Sequence, residues 1–254
     1  MISNLFNSLF FNPIYNGLIF LMSSFSWLDM GMAVILVTIL VKLLIFPLTK
    51  KSIKLQIAQK KIEPEIKKIK EEYKDKKEEQ AHKIMDLYKE NDLNPLSSIL
   101  IMFIQIPIIF ALYFVFLKGG LPDINYEILY SFIKVPENIN MIFIGLIDVT
   151  QKSLFLAILA GISQYIQIQL ILPKVSLKSN GQKRDFKEDL MKSMNLQMKF
   201  VMPLIIIMIA YHLPSAIALY WITSNIFMIS QEIFVKRRME DKESKTYNIE
   251  GQKS

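Results

Sequence analysis

Along this chain, long uncharged runs alternate with densely charged segments. Residues 1–28 carry no charged side chain, and Asp29 precedes the run from Gly31 to Leu48, GMAVILVTILVKLLIFPL, whose one charge is Lys42. That run is about long enough to cross ~30 Å of hydrocarbon as a helix. A second run from Ser97 to Leu117 has no charge and lies between Pro95 and Lys118-Gly119-Gly120. A third, from Ser153 to Leu172, is closed by Pro173. From Phe200 to Phe234 the chain is apolar for longer than one crossing, and HLPSA at His212 to Ala216 interrupts it. Pro214 disfavours continuous helix there, so two antiparallel helices joined by a tight turn are expected. The pattern thus predicts five spans, at residues 29–48, 96–117, 153–172, 200–213 and 215–235.

The N-terminal segment reads differently. Leu5, Phe6, Leu9 and Phe10, then Tyr15, Leu18, Ile19 and Met22, fall at helical spacing with Ser and Asn between them. Residues 1–28 are therefore expected to form an interfacial amphipathic helix on the outer surface, split by Pro13. A sixth span beginning near Ile14 is the competing reading. No Lys or Arg precedes Lys42 and no small-x-small site follows a short apolar core, so a cleaved signal is not expected. Residues 49–95 carry 13 basic and 10 acidic side chains, yet Ile62, Ile66, Ile69 and Tyr73 keep heptad spacing. After Lys74 to Lys77, a second stretch offers Ala81, Ile84, Met85 and Tyr88 on one face, and the two arms predict an antiparallel helical hairpin. The rival is a solvated charge run, against which the regular seam argues. Residues 173–199 have no such seam and read as a basic loop with a short helix at Phe186 to Met194.

Composition sharpens this picture. Of 254 residues, 52% are hydrophobic and 21% charged, with mean hydropathy +0.32, so charged and apolar residues must be segregated. Of 30 Lys and Arg, 13 fall in residues 49–95, 7 in 173–199 and 6 in 235–254, against three (Lys118, Lys134 and Lys152) in residues 118–152. Under the positive-inside rule the three basic segments, including the tail 236–254, are cytoplasmic, and residues 1–28 and 118–152 lie outside. The expected location is the bacterial plasma membrane, multi-pass, with the N-terminus outside and the C-terminus in the cytoplasm. The net charge of +7 reads as sidedness rather than as affinity for a specific nucleic acid. The absence of Cys removes disulfides, thiolate metal sites and a thiol nucleophile. Two His, no His/Asp/Glu cluster and no Gly-rich phosphate loop leave no expected metal, cofactor or enzymatic chemistry.

Lys42 stands apart. It lies six residues before Leu48, so its Cα sits roughly 9 Å inside the cytoplasmic end of the first span. An ionised residue there costs at least ~2.5 kcal/mol on the insertion scale and by default marks a functional cavity; snorkelling of the long stem to the interface is the bland alternative. The sequence places no Asp or Glu deep in any span. Neutral polar residues are available: Thr38 in the first span, Gln105 in the second, Gln164, Gln167 and Gln169 in the third, and Thr223, Ser224 and Asn225 in the fifth. Singly each is more often helix–helix glue; collectively they can line a wet pocket. Trp221, about two turns into its helix, fits an aromatic belt and a groove wall equally well.

The succession TILVKLLIFPLTKKS, IEPEIKKIKEEYK, YKENDLNPLSSILIMFIQIPIIFALY, FIGLIDVTQKSLFLAILAGISQYIQ and FVMPLIIIMIAYHLPSAIALYWITSN resembles the YidC family of membrane protein insertases over roughly residues 12–236. The resemblance implies an all-α membrane protein: a five-helix bundle with a hydrophilic groove open to the cytoplasm, a cytoplasmic helical hairpin and an N-terminal interfacial helix. It places Lys42 at the groove cation, and Gln105 in FIQIPI and Trp221 in LYWI at two other groove positions. The family's cation is usually Arg; Lys keeps the charge and loses the bidentate fork. The large outer domain of many members and the lipoprotein Cys of others are not expected here. The implied function is an insertase and chaperone that receives nascent hydrophobic segments, translocates short polar N-tails or loops and releases the segment into lipid. Expected partners are nascent membrane proteins, the ribosome, targeting factors, the Sec translocon and anionic lipids. A small-solute or ion transporter using the same cavity is the alternative, though it normally needs an intramembrane acid or an inverted repeat. An assembly scaffold and an intramembrane protease stand further back.

Overall fold

A computed structural model of the chain describes residues 2–91, 93, 96–117, 121, 123–136, 138–171 and 186–251, with side chains described except at 2, 96–104, 171, 186–196 and 240–251. The described elements are α1 (Ile2–Phe6), a π-helical turn (Asn7–Phe11), α2 (Asn12–Ser24), α3 (Met30–Glu72), α4 (Lys77–Glu90), α5 (Leu96–Leu117), β1 (Ile142–Phe143), β2 (Ile147–Asp148), α6 (Leu154–Ile171), α7 (Phe186–His212) and α8 (Ser215–Gly251). Among the described residues, Ser3–Ser24 and Met30–Glu72 are helices long and apolar enough to cross a membrane, and Gln105–Leu117, Leu154–Leu170 and Gln197–His212 are shorter apolar helical stretches. The chain is mostly helical, as expected, with one short antiparallel pair added. In that pair Ile142 faces Asp148 and Phe143 faces Ile147.

Pro13 does not split the first helix. The amide of Asn12 reaches back five residues to the Asn7 carbonyl, and the helix continues through Pro13 to Ser24. A proline ring collides with the carbonyl four residues earlier in an α-helix, and the wider π turn moves that carbonyl away. The interruption at Pro214 is seen: α7 stops at His212 and α8 starts at Ser215. The short helix at Phe186 is the start of α7, so the expected basic loop is helical from there on.

Two compact units are present, Met1–Leu44 with Ile106–Ile229, and Ile45–Gln105 with Ser230–Ser254. In the first, helices approach closely where side chains are small. A Cβ on Gly161 of α6 would lie 2.6 Å from Ile207 Cδ1 and 3.1 Å from the Pro203 carbonyl oxygen of α7. One on Gly31 of α3 would meet the Phe143 ring at 2.6 Å. The 118–152 loop is tied to three helix ends. On α2, the Tyr15 hydroxyl accepts from the Asn125 amide (2.8 Å), and the Asn16 side chain donates to the Ile128 carbonyl (2.9 Å) and accepts from the Tyr130 amide (2.7 Å). At α3, Asp29 Oδ1 caps the Met32 amide (2.8 Å) and Oδ2 accepts from the Ile144 amide (2.9 Å). At α8, the Ser215 and Ala216 amides donate to the Gln151 and Val149 carbonyls at 2.9 and 3.0 Å, and the Ser215 hydroxyl donates to the Asp148 carbonyl.

In the second unit, the Gln80 side chain donates from Nε2 to the Lys70 and Tyr73 carbonyls (2.9 and 3.3 Å), closing the end of α3 where the chain turns into α4. Leu87 is buried, and of the expected face Ile84 and Tyr88 are half-buried while Ala81 and Met85 are exposed. The hairpin therefore forms on a face rotated toward Leu87. Further along, Ile53, Leu55 and Ile62 of α3 and Val235 of α8 are buried. Thr49 Oγ1 donates to Gln231 Oε1 at 3.2 Å, and Glu232 pairs with Lys236 at 2.5 Å. Partial burial, with Lys236 nearby, holds the Lys60 ammonium below lysine's ordinary 10.5, against the opposing pull of Glu232 and Glu63.

Gly161→Val should lower the melting temperature of the purified protein, in line with overpacking costs of about 1–3 kcal/mol. Ile207→Ala in the same chain should restore part of that loss, read by differential scanning fluorimetry; no rescue would place the strain elsewhere. Near its titration Lys60 binds fewer protons folded than unfolded, so its contribution to stability rises with pH toward 10.5. Lys60→Met should flatten the rise in melting temperature as the pH approaches 10.5 from below.

Candidate functional site

The site is best built from three helices of the first unit. On α3, Thr38 and Lys42 are one turn apart and so share a face, and both are buried; Lys42 is only 5% exposed. The exposed neighbours Leu36, Leu40, Leu43 and Leu44 mark the other side of the helix. The Thr38 hydroxyl donates to the Val34 carbonyl of its own helix (2.6 Å), which leaves its oxygen as an acceptor facing the same side as Lys42. A lysine buried to this degree is not held at an exposed interface, which weighs against the snorkelling alternative for residue 42.

On α8, Trp221 and Asn225 are again one turn apart and both buried, with Ser224 buried beside them. Trp221 lies six residues, about 9 Å of rise, inside the start of α8 at Ser215. Asn225 donates from Nδ2 to Ser163 Oγ of α6 at 2.9 Å, and the Ser163 hydroxyl donates to the Ala160 carbonyl at 2.8 Å. The two bonds form a short relay from α8 into the α6 backbone. Thr223 is half-buried and donates to the Leu219 carbonyl (2.8 Å). On α6, half-buried Gln164 donates from Nε2 to Gln167 Oε1 at 3.1 Å, and Gln169 pairs with the Tyr165 hydroxyl at 2.6 Å.

The expected site residues thus fall into three groups. Thr38 with Lys42, and Trp221 with Asn225, are buried pairs on helix faces; Gln164 and Gln167 bond each other. Thr223 satisfies its own backbone. Gln105 is half-buried and falls in the second unit. Ser163 was not expected. Its signal is the succession Ala157, Ala160, Gly161 and Ser163, a stripe of small residues that lets neighbouring helices approach and places a hydroxyl within reach. The arrangement offers amide and hydroxyl groups and one cation in an apolar helical setting. Such groups can bind and solvate.

These features are those of a mostly helical protein with apolar helices of membrane-spanning length that carry buried polar side chains. The sequence matches the family described as 60Kd inner membrane protein over residues 20–243. It is 32% identical over 215 residues to the membrane protein insertase YidC of Clostridium tetani, covering 84% of each chain. It is 30% identical over 218 residues to the protein of the same name from Oceanobacillus iheyensis, covering 82% of this chain and 75% of that one. Against the one from Fusobacterium nucleatum it is 30% identical over 210 residues, covering 83% and 87%. The chain belongs to the YidC family of membrane protein insertases, a bacterial membrane protein family.

The Asn225–Ser163 bond can be measured by a double-mutant cycle on thermal stability in bilayer nanodiscs. Asn225→Ala and Ser163→Ala should couple by about 0.6 kcal/mol, the usual size for such a bond between membrane helices. Additive effects would show that the two side chains act independently.

Proposed function

We propose that this protein inserts other proteins into the membrane by admitting a nascent hydrophobic segment to a hydrophilic groove open to the cytoplasm, then releasing it into lipid. The carrying observation is the burial of Lys42 beside Thr38 in a stretch of α3, Gly31 to Leu48, that holds no other charged residue. A buried cation is costly in hydrocarbon unless water or polar groups reach it. Thr38, Ser163, Gln164, Gln167, Trp221, Thr223 and Asn225 of the first unit supply such groups on three helices. A groove so lined shortens the hydrocarbon path that a polar or acidic tail must cross and attracts it electrostatically. No bond is made or broken in this scheme.

On this reading five spans cross the membrane, the hairpin of α3 and α4 and the C-terminal part of α8 lie in the cytoplasm, and residues 1–28 lie on the outer surface. The bonds of Tyr15 and Asn16 to the 118–152 loop support that last placement. The ribosome, targeting factors, the Sec translocon and anionic lipid are the partners the cytoplasmic face would meet. Exposed Arg237 and Arg238, which border a surface depression with Ser230, Ile233 and Phe234, give it a basic contact.

The test is insertion of a single-span client with an acidic N-tail into proteoliposomes, scored by protease protection with ion flux measured in parallel. Lys42→Arg should retain most insertion, Lys42→Ala should lose part of it, and Lys42→Glu should lose roughly tenfold or more, because a like charge then faces the tail. Full insertion by the Glu variant would remove the electrostatic step. Solute or ion flux without client protection would favour a transporter.

A further inference from the structure

The β-hairpin of the 118–152 loop has a tip that a water-exposed turn would not choose. Two residues in the protein's described backbone have positive φ among those outside ordinary regions, Ile144 at +48° and Gly145 at +73°. They are the central pair of a turn closed by the Leu146 amide donating to the Phe143 carbonyl at 3.0 Å. Turns with positive φ at both central positions favour Asn-Gly, because Asn tolerates the left-handed region and a β-branched side chain does not. Isoleucine occupies that position here and is 53% exposed, so neither backbone preference nor packing accounts for it. Ile142 is also exposed and Leu146 is 80% exposed, while residues 138–147 hold no charged side chain.

The depth of this tip follows from its hydrogen bonds. The Ile144 amide donates to Asp29 Oδ2, the same carboxylate that caps the first turn of α3, and the Met30 amide donates to the Asn140 carbonyl at 2.8 Å. The Val149 amide donates to the Met141 carbonyl, and the Val149 carbonyl accepts from the Ala216 amide at the start of α8. The hairpin is therefore pinned to the first residues of two apolar helices. Trp27, two residues before Asp29, is 72% exposed at the same level. Exposed apolar side chains at the end of a membrane span, with a tryptophan among them, match the boundary between headgroups and acyl chains.

We propose that Ile142, Ile144 and Leu146 of the hairpin tip, together with Trp27, insert into the outer lipid leaflet, so that the loop is a second, monotopic contact with the bilayer. This rests on the membrane-spanning reading of α3 and α8. The ligand is the interfacial acyl region, and the strain at Ile144 is kept because an apolar side chain there is solvated by lipid. Rigid pinning by Asp29 makes the insertion depth a fixed property of the fold.

The chain has no cysteine, so single labels are unambiguous. Leu146→Cys, Leu40→Cys and Glu127→Cys are each labelled with an environment-sensitive fluorophore in the full chain, reconstituted in phosphatidylethanolamine and phosphatidylglycerol vesicles with and without nitroxide lipids. The Leu146 label should show blue-shifted emission, quenching by nitroxides near the headgroup and shielding from aqueous iodide; the Glu127 label should be quenched by iodide. Quenching of Leu146 by iodide alone, with Leu40 quenched by lipid nitroxide, overturns the inference and leaves the spans intact. Shielding of Leu146 from both quenchers that is lost on diluting protein in lipid means a second copy covers the tip, and also overturns it. Failure of Leu40 to be quenched by lipid overturns the spanning reading and this inference together. As a second variant, Ile144→Asn should hold or raise the melting temperature in detergent while reducing nitroxide quenching at Leu146; a lowered melting temperature with unchanged quenching would make Ile144 a packing residue instead.

Discussion

In hydrocarbon every backbone amide and carbonyl needs an internal partner, and that constraint shapes this protein more than any single contact. Helices meet it along their length and fail to meet it at their ends, where four amides and four carbonyls are left over. Asp29 is the clearest answer to that failure. One of its oxygens takes an amide from the first turn of α3 and the other takes the Ile144 amide of the hairpin. The loop repeats the service at α8, where Val149 and Gln151 offer carbonyls to Ala216 and Ser215. The only described sheet pairing is thus in the segment that closes helix ends, and the loop is a structural lid as well as a connection.

Lys42 is set against the same constraint. A helix that satisfies its own backbone can still carry a side chain that hydrocarbon rejects, and the remedy must come from side chains or water. The relay from Asn225 through Ser163 to the Ala160 carbonyl shows how the first unit handles buried polarity on α6 and α8: each donor is passed to an acceptor. Thr38 does the same within its own helix. A polar set already satisfied in this way holds its shape without a ligand.

Much of this was legible in the sequence because segregation of charge is a coarse signal that survives local exceptions. The interruption between α7 and α8 follows from Pro214, and Lys42, which the rarity of charge in a span singles out, is buried; Trp221 stood evenly between an aromatic belt and a groove wall on sequence alone. The misses are local and geometric. Pro13 was expected to break a helix, and a π turn accommodates it. On α4 the buried position is Leu87, which the expected apolar seam did not include, and the Gln80 side chain that bonds the end of α3 is polar and so invisible to such a seam. Ser163 was hidden in a small-residue stripe, since a serine among alanines and glycines signals packing before it signals polarity. The hairpin strands are two residues each, too short for alternation to register.

Two residues break the local rules in opposite directions: Lys42 puts charge where the surroundings are apolar, and Ile144 puts an apolar, β-branched side chain where the turn favours a small polar one. Natural sequences keep propensity, pattern and packing in agreement nearly everywhere, so departures of this kind concentrate where function overrides stability. Both are tied to the N-terminal part of α3. Ile144 is bonded to the cap at its first turn, and Lys42 lies about three turns further on. If the tip fixes where the first turn of α3 stands in the interface, the helical rise fixes the depth of the lysine. On the proposed reading, an anchored Asp29 would hold the Lys42 cation at one level in the bilayer through a rigid helix, and its distance from the cytoplasmic boundary would set how strongly an entering acidic tail is drawn.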